Sequence, residues 1–269
     1  MASNKPVLFF FLLLTFSQLG KAQSFATWEI GISGGGAGYI GDLNQNNLLK
    51  ISGFNAGIFA KRNFNAHLGL RVNYNYGQIQ AYDSDSDNEQ FRERNLSFKT
   101  KLNEGTAIFD FNFFDYKING GNKWFTPYLF AGVGFVNFKP EIKYQGVTYR
   151  LDRQLTEGQD NRYANTVMTI PYGGGIRYNY KHTWSIFSEI GYRTAFTDYI
   201  DDVSGRYPDM PSQVATVVGS PQINLSNPSA NPLVGIPGTQ RGDFRKRDTY
   251  LFVSIGISFT FVSSKCYSF

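Results

Sequence analysis

From Tyr250 to Phe261 the chain alternates with a period of two. Leu251, Val253, Ile255, Ile257, Phe259 and Phe261 fall on one face, and Ser254, Gly256, Ser258 and Thr260 on the other. Such alternation marks a β-strand. An apolar face opposite small polar residues suits a strand with lipid on one side and a polar, packed interior on the other. The dyad recurs along the chain. Leu68, Leu70, Val72, Tyr74 and Tyr76 oppose Arg71, Asn73 and Asn75. Ile170, Tyr172, Ile176 and Tyr178 oppose Arg177 and Asn179, and Trp184, Ile186, Ile190 and Tyr192 oppose Ser185, Glu189 and Arg193. The run from Tyr128 to Phe138 is apolar on both faces, so hydrophobicity leaves its parity open.

The pattern places strands near residues 27–40, 52–61, 66–79, 102–116, 124–138, 166–180, 183–197 and 248–262. Connections after the second, fourth and sixth strands are short: Arg62 to Asn65, Lys117 to Lys123, and Lys181-His182. Those after the first, third, fifth and seventh are long. A barrel inserted from one side alternates in this way, with short periplasmic turns, long extracellular loops, an even strand number and both ends in the periplasm. The expected fold is therefore all-β, an eight-stranded antiparallel transmembrane β-barrel. Trp28, Trp124 and Trp184 each open an odd-numbered strand, which puts them at the periplasmic interface, a depth that indoles favour.

Eight strands leave a bore only wide enough for side chains to fill. The inward set carries Arg71, Arg177 and Arg193 together with Glu104, Asp110 and Glu189. These should pair, because an unpaired buried charge is costly. The expected result is a plug that stiffens the barrel and conducts nothing.

Composition agrees. Phe (25), Tyr (17) and Gly (28) are abundant while the mean hydropathy is −0.30, because polar residues dilute the lipid-facing ones at every second position. No segment after the N-terminus has 18 consecutive apolar residues, so no transmembrane helix is expected. Lys5, the apolar run Val7 to Phe16 and the small residues of Gly20-Lys21-Ala22 read as an export signal cleaved after Ala22 or Gln23. No cysteine follows that run, which excludes a lipoprotein signal. The expected organisation is a signal peptide at 1–22, an outer-membrane barrel at 23–262 and a periplasmic tail at 263–269, in a Gram-negative bacterium. The net charge of +5 is too mild for a nucleic-acid partner. The single cysteine, Cys266, has no internal disulfide partner.

Motifs with chemical potential are few. Asp83 to Glu89 begins like a calcium loop, but Asn88 stands where glycine is needed and Arg94 where a bidentate glutamate is needed. It reads as a solvated acidic loop. His67 and His182 lie by periplasmic turns, with no base placed beside a nucleophile. No enzyme activity, metal or cofactor is expected, and a lipid-modifying barrel is the least favoured reading. Arg241-Gly242-Asp243 matches an adhesion tripeptide, a match short enough to arise by chance. Gly34 to Gly36 and Gly173 to Gly175 lie within strands and fit bends or close approach. The connection over residues 198–247 is proline-rich, and at its start Tyr199, Ile200 and Val203 offer apolar anchors among carboxylates.

Four segments carry a resemblance. Gly38 to Asn44, Phe125 to Gly134, Thr197 to Ser204, and Arg241-Gly-Asp with Asp248 to Phe252 resemble the PorG family, outer-membrane barrels of the Bacteroidetes type IX secretion system. Thr197 to Ser204 is the most specific of these. The resemblance implies a non-enzymatic part of a protein secretion machine, associated with the periplasmic ring of PorK and PorN. It transfers no catalytic residue. Topology nominates the periplasmic side for that contact: residues 23–27, the turns 62–65, 117–123 and 181–183, and the tail with Cys266. The alternative is a general surface barrel of the OmpA or OmpX kind, acting in adhesion or membrane integrity through its outer loops.

Overall fold

The structure is a computed structural model that describes residues 26–116, 122–144, 146–209, 225–243 and 245–261. The expected leader, the tail with Cys266 and residues 117–121 of the second turn lie outside the described residues. The chain runs β1 (Thr27–Ile40), β2 (Ile51–Asn63), β3 (Leu68–Tyr82), a 3₁₀ turn (Asp83–Asp85), α1 (Glu89–Arg94), β4 (Ser97–Asn112), β5 (Phe125–Tyr144), β6 (Val147–Arg150), a second 3₁₀ turn (Leu151–Arg153), β7 (Thr166–Tyr180), β8 (Trp184–Ala195) and β9 (Thr249–Phe261).

The sheet order is β4-β3-β2-β1-β9-β8-β7-β5, and a further β4–β5 pairing closes the cylinder. Every pairing between these strands is antiparallel. The barrel therefore has eight strands, as the dyads predict. β6 lies outside the cylinder and folds back only on the end of β5. First and last strands meet along their length, from Trp28 opposite Phe261 to Ile40 opposite Thr249. Closure satisfies the edges that an open sheet would leave unpaired, which is what a lipid environment demands.

All eight strands push apolar side chains outward. Ile32, Ile58, Val72, Phe109, Val133, Ile176, Ile186 and Ile255, one from each strand, are all exposed, Phe109 and Ile255 to 63 %. A continuous apolar belt of this extent suits lipid and not water. Trp28, Trp124 and Trp184 are exposed at one end of it, with Phe259 and Phe261 beside Trp184 and Trp28. That end carries the short turns, in line with the expected aromatic girdle.

Three strands are longer than their sequence pattern indicates. β3 runs on to Tyr82 and pairs with a β4 that begins at Ser97, not near 102. β5 continues to Tyr144 before turning into β6. The second and third outer connections are correspondingly shorter. The outward positions there are Gln78, Gln80, Lys99, Lys101, Lys139 and Glu141, so the lipid-side signal ends while the ladder does not. The ladder continues because inward Ile79, Ala81, Phe98 and Phe138 find a core to join. β4 also stops at Asn112, short of the expected 116.

Register settles the parity of β5. Asp110 sits opposite Phe130, and Glu104 opposite Val136. Directly opposed residues share a face. Tyr128, Phe130, Val136 and Phe138 therefore point inward, and Leu129, Val133 and Phe135 outward. The inward aromatics need space, which the β7 glycines provide. A Cβ at Gly173 would lie 2.8 Å from the Phe130 ring, and one at Gly175 2.9 Å from that of Tyr128.

Candidate functional site

The bore divides into a charged inner part and an apolar outer part. In the inner part all six charges expected there are buried. Arg71 donates to Glu189 at 3.0 Å and lies 3.5 Å from Asp110. Arg177 is 3.4 Å from Asp110, and Arg193 is 3.5 Å from Glu104. The dyad reading missed two members. Lys61 Nζ lies 2.8 Å from Asp110, and Glu29 accepts from Asn63 at 3.1 Å. Both were legible, since Glu29 alternates with Trp28 and Ile30, and Lys61 with Ala60 and Arg62. Lys61, Arg71, Arg177 and Arg193 thus balance Glu29, Glu104, Asp110 and Glu189 among the described residues. Aromatic faces complete the packing: Arg71 sits 5.4 Å from the rings of both Phe59 and Phe130, and Arg177 4.5 Å from that of Tyr128. Paired, stacked guanidiniums thus fill the inner bore, as the expected plug requires. The purified barrel in a planar bilayer should show no unitary current; a stable conducting step would refute the plug.

At the outer end the long connections fold into the mouth. Ile200, Val203 and Leu225 of the last connection join Tyr39, Phe98, Phe138, Leu151, Tyr250 and Phe252 in one buried cluster. Thr100 Oγ1 donates to the Ile200 carbonyl at 2.6 Å. Asp202 accepts from Thr156 and Tyr163 at 2.6 and 2.7 Å. The apolar anchors expected from sequence therefore seat a cap.

Two motifs find structural roles there. Arg241 is buried, donating to Glu157 at 3.0 Å and to the carbonyls of Asp202 and Ser226 at 2.6 and 3.2 Å. Its guanidinium cannot reach a receptor, so the adhesion tripeptide is an internal staple. The acidic segment from Asp83 is not fully solvated, contrary to the sequence reading. Asp83 is buried and held by both Nε and Nη2 of Arg94, at 2.7 and 2.8 Å. The residue that spoils the calcium loop is the one that neutralises its first carboxylate. His67 and His182 lie at the short-turn end, His67 Nδ1 3.0 Å from the Asn112 carbonyl oxygen and His182 beside the Trp124 ring.

Sequence reasoning did not foresee the cluster at the base of the cap. Asp42 comes from the first outer connection, Asp201 from the cap, and Asp248 from the residue before β9. All three are buried, and one oxygen of each lies within 4.8 Å of the others. Tyr39 donates its hydroxyl to Asp201 and, at 3.5 Å, to Asp248. The Val203 and Ile200 amides donate to Asp201 and Asp248, both at 2.9 Å. Asp42 Oδ1 accepts from the Asp243 amide, whereas its buried Oδ2 has no partner. Neighbouring cations are committed elsewhere: Arg94 to Asp83, Arg241 to Glu157 and Asp202, Arg245 to Asp243. Burial pushes all three carboxyls well above the usual carboxylate range, and the charge of neighbouring aspartates adds to it. Gly41 permits this close packing, since a Cβ there would fall 2.1 Å from the Tyr39 hydroxyl and 2.5 Å from Asp248 Oδ1.

A closed sheet, an outward apolar belt, a filled bore and a capped mouth define an eight-stranded outer-membrane-type β-barrel. Within that class the chain belongs to the DUF6089 family, described as a domain of unknown function, whose family model matches residues 5–214. No curated protein matches the chain. Solved structures similar to it include Neisserial surface protein A, at 13 % identity with a TM-score of 0.40, over 87 % of this chain and 97 % of that one. Ail, the attachment invasion locus protein of Yersinia pestis, in complex with the heparin analogue sucrose octasulfate, is similar at 12 % identity and a TM-score of 0.38, over 89 % and 100 %. A major outer membrane protein from Thermus thermophilus is similar at 11 % and 0.43, over 88 % and 99 %. The class rests on the closed sheet and its belt, not on these likenesses.

Proposed function

We propose that the protein is a non-enzymatic, non-conducting barrel of the bacterial outer membrane that serves the type IX secretion system, anchoring or aligning its periplasmic PorK and PorN ring. The observation that carries the mechanical part of this reading is the double seal. A bore filled by balanced charges and a mouth closed by a packed cap leave the outer surfaces and the periplasmic turns to do the work. A stiff cylinder is suited to hold a partner at a fixed depth and orientation. The assignment to secretion rests on the sequence resemblance. Three of its four segments converge in space, because Tyr39, Asp42, Asp201, Asp243 and Asp248 meet at the base of the cap.

The test is deletion of the gene followed by assay of secreted protease. Secretion should be lost, restored by the full chain, and not restored by a folded copy lacking residues 263–269. Crosslinking from Cys266 should capture a ring protein. Normal secretion in the deletion strain would remove the secretion role and leave the general surface barrel.

A further inference from the structure

The geometry points to a binding site for a hard divalent cation, calcium in preference to magnesium, formed by Asp42, Asp201 and Asp248 at the base of the cap. The cluster alone would not justify this. One further observation does. Asp42 is 1 % exposed, and its Oδ2 has no hydrogen-bond partner. A buried carboxylate oxygen without a donor is a costly arrangement that a ligand would relieve. Gly41 lets the Tyr39 ring and Asp248 pack directly against the backbone beside Asp42, because a Cβ there would collide with both.

The donors decide the kind of ligand. Every group that lines the site is an oxygen: three carboxylates and the Tyr39 hydroxyl. No histidine or cysteine contributes among the described residues, so soft and borderline transition metals are disfavoured. Calcium tolerates irregular oxygen shells, whereas magnesium demands near-ideal octahedral geometry and holds its waters. Three backbone amides and the tyrosine hydroxyl already fix the carboxylates, so the site is largely preorganised. Its ligands come from the first outer connection, the cap and the start of β9. A bound cation would therefore clamp the cap to the rim. An outer-face location suits an affinity in the range of about 10⁻⁴–10⁻³ M typical of extracellular calcium modules. The inference stands apart from the secretion reading, since it concerns only the mouth of the barrel.

Tyr39 supplies the probe. Terbium substitutes for calcium, and a tyrosine hydroxyl against the site transfers excitation to it. The full chain, refolded in detergent and freed of metal by chelator, should give saturable tyrosine-sensitised terbium emission that calcium displaces more readily than magnesium. Calcium should also raise its unfolding temperature in step with the logarithm of concentration. Asp42→Asn should weaken calcium binding by at least about tenfold, the scale at which even a supporting partner of a metal ligand costs affinity. Asp85→Asn, in the exposed acidic turn, should leave it unchanged. Heat-modifiable migration on gels verifies that each variant is folded. If Asp42→Asn does not refold, the wild-type protein still decides: no saturable emission and no calcium-dependent shift in unfolding temperature would overturn the site. Emission equal in folded Asp42→Asn, or lost in Asp85→Asn, would overturn it equally.

Discussion

Replacing Asp110 by asparagine should destabilise the barrel by about 3–5 kcal/mol, the usual cost of removing one partner from a buried ion pair. Asp110 is fully buried and faces Lys61 at 2.8 Å, Arg177 at 3.4 Å and Arg71 at 3.5 Å. Asparagine keeps the shape and removes the charge, so one excess positive charge is left among fully buried groups. Charge, not packing, is the cause, and a second substitution separates them. Lys61→Met with Asp110→Asn restores the balance of three cations against three carboxylates and should recover most of the loss. Denaturant unfolding in detergent measures both. A single variant costing less than about 1 kcal/mol, as a solvated pair would, would mean that the bore is wet. A double variant as unstable as the single would assign the loss to packing.

Arg241→Ala should release the cap without unfolding the barrel. The guanidinium holds Glu157 of one connection and the carbonyls of Asp202 and Ser226 of another. Glu157 also accepts from the amides of Ser204 and Gly205, at 2.9 and 3.1 Å. Truncation leaves a buried carboxylate without its cation, held only by those two amides, and takes a donor from two carbonyls. A local penalty of about 3 kcal/mol raises the open population roughly a hundredfold. The ladder of the cylinder does not depend on that staple, so opening is sub-global. Limited proteolysis should cut residues 225–240 far faster in the variant, while the denaturant midpoint of the barrel stays put. Arg241→Lys should not rescue, because one ammonium cannot reproduce a planar fork that reaches three partners. Equal cleavage of variant and wild type would remove the staple from the account.

The strands, their number and the charges of the bore were readable from the chain. Lipid allows only apolar groups outside, and a narrow closed cylinder sends every other residue inside, so environment is written into the sequence at every second position. Arg71, Asn73 and Asn75 against Val72 and Tyr74 needed no tertiary information. The long connections signalled the outer end for the same reason, as the breaks between dyads.

Where both faces are apolar, or neither faces lipid, that code falls silent. The parity of β5 came from Asp110 opposite Phe130, a long-range pairing. The upward extension of β3, β4 and β5 came from a core that exists only once Ile200, Val203 and Leu225 have entered the mouth. Asp42, Asp201 and Asp248 have no periodic spacing. Arg241 and Arg94, ordinary surface residues by pattern, are buried because the loops above the membrane choose their partners by contact. The bilayer dictates the wall of this protein one residue at a time; the rim and cap are determined by side chains that meet only after the cylinder has closed.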